Sequence, residues 1–193
     1  MTIWFTADQH FGHENIIKYC DRPYESVEEM DADLIRRWNG KVDRYDVVYH
    51  LGDFTLGDIG MAKKYFSQLN GTIWILNNPW HHDKRWIGLY VDCITKSGST
   101  PLLRDPIEVL ELEEYGKDGH PLAVTLCHYP LAEWDRKHYG AWHLHGHSHG
   151  NYEGEGLILD VGVDMAAMYF QEYRPFSLEE IVEIMEVKGM TST

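Results

Sequence analysis

The strongest constraint in this chain is where its apolar runs stop. Ile3–Thr6 runs into "TADQHFGH", Val47–Leu51 into "GDFTLGD" and Thr72–Leu76 into "NNPWHHD". "CHYP" and "HLHGHSHG" close two later runs, Leu122–Cys127 and Ala141–His145. Short apolar runs bounded by turn residues read as buried strands. In open α/β sheets, ligands gather outside the carboxyl ends of strands. Five endings rich in Asp, Asn and His therefore point to one convergent site.

Between these runs the periodicity is helical. Ser26 with Glu29 three residues on is a capping box. Met30, Leu34, Ile35 and Trp38 then fall on one helix face, and Asn39-Gly40 is read as its stop. A helix around Met61–Leu69 ends at Asn70-Gly71. Ile107–Leu112 and Leu122–Cys127 flank Asp118-Gly119 as a hairpin. Leu157–Val161 is a further strand, and Ser177 with Glu180 caps a last helix. Lys84–Arg104 has weak periodicity and predicts no element. The early strand–helix–strand rhythm predicts an α/β sheet, and the later hairpins predict antiparallel strands as well.

Length and composition bound the function. A chain of 193 residues suits one domain, 1–193. It has no apolar run long enough to span a bilayer and no signal-peptide core, so a cytoplasmic protein is expected. Cys20, Cys93 and Cys127 are odd in number and widely spaced, which predicts free structural thiols. The net charge of −14 argues against membrane surfaces and against a nucleic-acid polymer as partner. A small anionic ester is still admissible, because a metal ion can reverse the local field.

Taken singly, each polar cluster has a bland reading. Asp8-x-His10 and Gly52-Asp53 are common turn chemistry, and a lone His128 after a strand is usually a core histidine. "HLHGHSHG" is stronger. His147 and His149 are separated by one residue, with His143 and His145 on one side of the strand before them.

Taken in order, Asp-x-His, Gly-Asp, Asn…His, His and Gly-His-x-His resemble the calcineurin-like metallophosphoesterase superfamily. "TADQHFGHENIIKYCDRP", "VVYHLGDF", "LCHYPL", "WHLHGHSHG" and "VGVD" look like its small stand-alone bacterial and phage phosphoesterases. The resemblance spans roughly residues 3 to 164. It implies an α/β metallophosphatase-like β-sandwich of two mixed sheets flanked by helices. It also implies two divalent metal ions, with Mn²⁺ first and Fe or Zn²⁺ as alternatives, since the donors are imidazoles and carboxylates. Asp8, His10 and His149 would hold the first ion, Asp53 would bridge, and Asn78, His128 and His147 would hold the second. Hydroxide activated between the ions would attack phosphorus, and a histidine would protonate the leaving group.

The chain departs from the family's Gly-Asn-His-Asp pattern at "NNPWHHD". Counting from the strand puts Asn78 in the ligand position. Counting back from Asp83 puts His81 there. Both overlays make His82 the general acid. The distance from the strand favours Asn78. His13, Arg22 and His81 are further candidates for substrate contact; a turn histidine and an ion pair of Arg22 with Asp21 or Glu25 are the plain readings of the first two. The expected activity is hydrolysis of small phosphodiesters or phosphomonoesters. A nuclease of the same superfamily and a catalytically degenerate binding module are the alternatives.

Overall fold

The structure, a computed structural model, describes residues 1–78, 80–117 and 119–191. It is an α/β fold of two mixed sheets flanked by helices. The first sheet has the order β4-β3-β2-β1-β9, from Leu102–Arg104 (β4), Thr72–Leu76 (β3), Val47–His50 (β2), Ile3–Thr6 (β1) and Phe176–Ser177 (β9). β1 to β4 run parallel, and β9 is antiparallel to β1. The second sheet has the order β5-β6-β7-β8, from Ile107–Lys117, His120–Cys127, Trp142–His145 and Ile158–Asp160. Here only β5 and β6 pair antiparallel; β7 and β8 continue parallel. The hairpin tip expected at Asp118-Gly119 includes Asp118, which lies outside the described residues.

The strands read as unbroken apolar runs because both faces of the first sheet are covered. Alternate residues serve different cores. Trp4, Val48, Ile73 and Ile75 face the helices, packing with Met30, Leu34 and Trp38 of α2 (Val27–Lys41) and Phe66 of α3 (Ile59–Phe66). Phe5, Tyr49 and Leu76 face the second sheet, meeting Leu126, Leu144 and Leu159. Trp142 belongs to this inter-sheet core. Ile181 of α5 (Leu178–Thr191) closes its edge.

The expected caps form. Ser26 Oγ accepts from Glu29 N, and Ser177 and Glu180 bond reciprocally at the start of α5. The stop expected at Asn39-Gly40 is not one: α2 runs on to Lys41. Asn39 is held there by tertiary bonds, donating to Gln68 O and accepting from Asn70 N. Two short helices that the sequence did not predict, α1 (Glu14–Tyr19) and α4 (Val163–Phe170), follow β1 and β8 and border the site. Among the described residues no helix is long and apolar enough to cross a membrane.

Candidate metal centre

The ladder of the first sheet continues past its strands. Asp8 N donates to Gly52 O (3.0 Å), His10 N to Asp53 O (3.0 Å) and Phe11 N to Phe54 O (2.9 Å). The turns after β1 and β2 therefore carry Asp8, His10 and Asp53 side by side. In the second sheet Gly146 N donates to His128 O (3.0 Å), so the turns after β6 and β7 also travel together. His147 N then donates to Asp8 Oδ2 (2.8 Å) and ties the two sheets. This approach needs glycine. A Cβ at 146 would lie 2.5 Å from Ala7 Cβ and 2.8 Å from Asp8 Oδ2. At Gly52, where φ is +121°, it would lie 2.9 Å from the His81 ring and 3.0 Å from His128 Nδ1.

Two donor clusters result. Asp8, His10 and His149 form one, and Asp53, His128 and His147 form the other, with the donor atoms of each within 4.8 Å of one another. Asp53 also groups with His10 and His82, which places it between the two. Its Oδ2 lies 3.5 Å from His10 Nε2, 3.6 Å from His128 Nε2 and 3.9 Å from His82 Nε2. The backbone marks the same residues. Eight non-glycine residues among those described have positive φ, and five of them are Asp8, His10, Asp53, His147 and His149. Left-handed backbone costs on the order of 1 kcal/mol or more per residue and collects at functional sites.

The donor set fits metal ions. Asp8 Oδ1, both ring nitrogens of His10 and His128 Nε2 are buried with no hydrogen-bond partner. Buried polar atoms are otherwise nearly always paired. Burial, helped by the nearby Asp160, Asp53 and Asp164, holds the Asp8 pKa well above the carboxylate range, although His149 pulls it down. Burial, with repulsion from Arg22 and neighbouring rings, pushes His10 well below its ordinary value. Burial lowers His128 to about 3, against the pull of Asp53. Neutral imidazoles with free lone pairs around crowded carboxylates are the arrangement that a divalent cation relieves.

His149 has a partner of its own. Burial opposes a charged ring there, but the hydrogen bond to Asp164 outweighs it, and the pKa is raised to about 11. Asp164 Oδ2 lies 2.6 Å from His149 Nδ1. Metal-ligating histidines commonly give their second ring N–H to a carboxylate in this way. Asp164 in turn accepts from Arg22 Nε and Nη2, each at 2.8 Å. The same guanidinium donates to Asp8 O (2.7 Å) and Gln9 O (3.0 Å). The sequence reading gave Asp164 no role, although it ends the "VGVD" run that carried part of the resemblance. Asp160 was also missed. It accepts from Ser148 Oγ, Gly150 N and Gly162 N, and so pins the turn that holds His147 and His149.

Two of the expected substrate contacts are corrected. Arg22 is 3% exposed, and its donors are spent on Asp164 and backbone carbonyls, so it does not face a phosphate. Its acidic partner is Asp164, not Asp21 or Glu25. His81 does not face substrate either; it is 3% exposed. Asp83 N donates to His81 Nδ1 (3.1 Å), and His81 Nε2 lies 3.1 Å from Leu76 O and 3.2 Å from Asn78 N. Both nitrogens are thus occupied. His81, Asp83 and Asp53 also form a compact group. Yet Asp83 accepts from Phe54 N, Thr55 N and the Trp86 indole, which makes the pair a lock on the loop rather than a vacant ligand set. Burial nevertheless pushes Asp83 up to about 7 against those bonds.

Asn78 is buried, and its Oδ1 accepts from Trp80 N (3.0 Å), which leaves one lone pair. Pro79 lies outside the described residues. The His82 side chain is 52% exposed at the rim, and its backbone N donates to Asp53 Oδ1 (2.9 Å). His13 precedes α1, with its ring 5.6 Å from that of His10.

No family model matches the chain. It is 30% identical over 191 residues to the uncharacterized protein MJ1445 of Methanocaldococcus jannaschii, covering 95% of this chain and 91% of that protein. It is 26% identical over 172 residues to the gene 66 protein of Mycobacterium phage L5, covering 76% of each, and 27% identical over 173 residues to that of phage D29, covering 76% and 78%. Among solved structures, the protein of unknown function AQ665 from Aquifex aeolicus superposes with a TM-score of 0.63 at 21% identity, covering 95% of this chain and 98% of that one. That likeness shows a shared fold.

Proposed function

The chain belongs to the same family as the Methanocaldococcus jannaschii protein, and we propose from its site that it is a metal-dependent phosphoesterase of the calcineurin-like type. The observation that carries this is the pair of adjacent donor clusters, with Asp53 in the second and also grouped with His10 of the first. Asp8, His10 and His149 would hold one divalent ion, and His128, His147 and the free lone pair of Asn78 the other, with Asp53 between them. Imidazole and carboxylate donors suit Mn²⁺ first, with Fe and Zn²⁺ as alternatives. When bound, two such ions supply charge for the phosphoryl oxygens and acidify a water.

The chain's own residues do the rest. His82 is exposed, 3.9 Å from Asp53 Oδ2 and tied to that carboxylate by its backbone. It would hold a proton for the leaving alkoxide. His13 lies beyond His10 on the same rim and would meet the ester. The acidic balance of the chain favours a small ester over a nucleic-acid polymer, which would be repelled along its length.

The test joins metal content to turnover of an aryl phosphodiester. The expected result is two Mn²⁺ per chain and hydrolysis that disappears on chelation and returns with metal. Two bound ions without hydrolysis of any phosphoester would leave a metal-binding module on this fold.

A further inference from the structure

A cavity of about 450 Å³ borders the first donor cluster. His149 and Asp164 line it together with Tyr19, Met168 and Tyr173. The end of α1 supplies Tyr19, and α4 supplies Met168. The volume is that of a small-molecule site. We infer that this cavity receives the leaving group of the ester, and that this group is an uncharged ring, of the chemistry of an aryl or nucleoside alcohol. The inference rests on the phosphoesterase reading and names its substrate class.

Three observations carry it. The first is continuity with the centre. His10 packs against His149 (ring centroids 5.3 Å) and His13 (5.6 Å), and His13 packs edge-on against Tyr19 (6.2 Å). A ligand with its phosphate at the donor clusters would therefore meet Tyr19 next.

The second is unfilled apolar surface. Tyr19 is 73% exposed and Met168 64% exposed. Large apolar groups left open beside polar ligands are what a ring needs to be stacked and covered. Tyr173 gives a fixed wall, since its ring is braced by Tyr24 (5.6 Å) and by the Arg22 guanidinium (5.8 Å). Met168 lies over the metal-ligand turn: a Cβ at Gly150 would come within 2.8 Å of its terminal methyl.

The third is charge. The lining includes Asp21 and Asp164 and no Lys or Arg. A second anionic group therefore finds no Lys or Arg to meet it there. Asp164 is already paired with Arg22 and His149, and Asp21 is exposed to solvent, which screens its pull on a cation. A neutral ring is the occupant that these walls suit.

The test uses two non-hydrolysable probes with the same anion, benzylphosphonate and methylphosphonate, titrated calorimetrically into the Mn²⁺-loaded protein. Benzylphosphonate is expected to bind about tenfold more tightly. Tyr19→Ala and Met168→Ala should each erase most of that difference, with methylphosphonate affinity and metal content unchanged. Equal binding of the two probes, or no response to either substitution, would overturn the ring pocket and leave the phosphoesterase reading standing. Tighter binding of phosphocholine than of benzylphosphonate would overturn it in favour of a cationic head. Failure of both phosphonates to bind the metal-loaded protein would remove the phosphoesterase reading and the pocket together.

Discussion

Asp164 lies 2.6 Å from His149 Nδ1 and 142 residues from the Arg22 that grips it from behind. This carboxylate fixes which nitrogen of His149 faces the donor cluster. Asp164→Asn would keep the shape but lose the charge that both partners use. Its expected effect is a 10–100-fold weaker first metal site, with the second site retained. Titration of Mn²⁺ should show one of two binding events weakened. Equal weakening of both would show that Asp164 supports the fold at large.

Asp53 belongs to the cluster with His128 and His147 and also groups with His10 of the other. Asp53→Asn should lower metal content at both sites and nearly abolish phosphoester hydrolysis. Two retained ions with normal turnover would contradict the bridging role.

His82 should matter only when the leaving group needs a proton. His82→Ala is expected to slow alkyl-ester hydrolysis by about 10²–10⁴-fold and to leave nitrophenyl esters nearly untouched, with both ions bound. Asn78→Ala should slow both ester classes alike by weakening the second site. If His81→Ala empties that site and Asn78→Ala does not, the ligand position belongs to His81.

Gly146→Ala should be costly although it replaces no donor residue. The new methyl would meet Ala7 Cβ at 2.5 Å and Asp8 Oδ2 at 2.8 Å. An expected loss of about 1–3 kcal/mol, typical of overpacking, is measurable by denaturant unfolding. Mn²⁺ affinity should fall with it, because Asp8 must move.

Acid stability should depend on Asp46, far from the centre. Burial would raise its pKa, but bonds from Thr2 N (2.7 Å), Asp43 N (3.0 Å) and the Trp4 indole (3.0 Å) outweigh that and hold it below the usual carboxylate range. A depressed folded pKa contributes stability that is present above the unfolded value of about 4 and lost as pH falls through the folded one. The stability gap between wild type and Asp46→Asn should therefore shrink below about pH 4. A gap that stays constant from pH 7 to 3 would contradict the assignment.

The parts of this molecule that were legible in sequence share a cause. β1, β2 and β3 are apolar on both faces and stop at turn residues, so composition alone marks them. The donor residues follow those stops, and their order along the chain carried the resemblance. The rest depends on partners far away in sequence. Arg22 and Asp164 meet across the whole fold, so a local reading offered Asp21 or Glu25 instead. His81 is occupied by backbone groups, which leave no trace in residue type. Asn39-Gly40 looks like a helix stop and is overruled by bonds to Gln68 and Asn70. Lys84–Arg104 lacked a period because it holds two short 3-10 helices, His82–Arg85 and Ile87–Asp92, before the brief β4.

The bond from His147 N to Asp8 Oδ2, with those of His128 Nδ1 to Leu51 O and Val163 N to Ala7 O beside it, makes the centre a latch at the end of a seam that is otherwise largely apolar. Ion loading would then act mechanically as well as chemically. Binding that is specific to the folded state adds about 2.7 kcal/mol at a hundredfold excess over Kd, and here that gain is delivered across the seam. Stripping the metal should leave both sheets intact but let the seam breathe. Amide exchange should quicken first at residues 146–150 and at 8–11, ahead of β2 and β6, and a protease should nick the former turn before any other part of the second sheet.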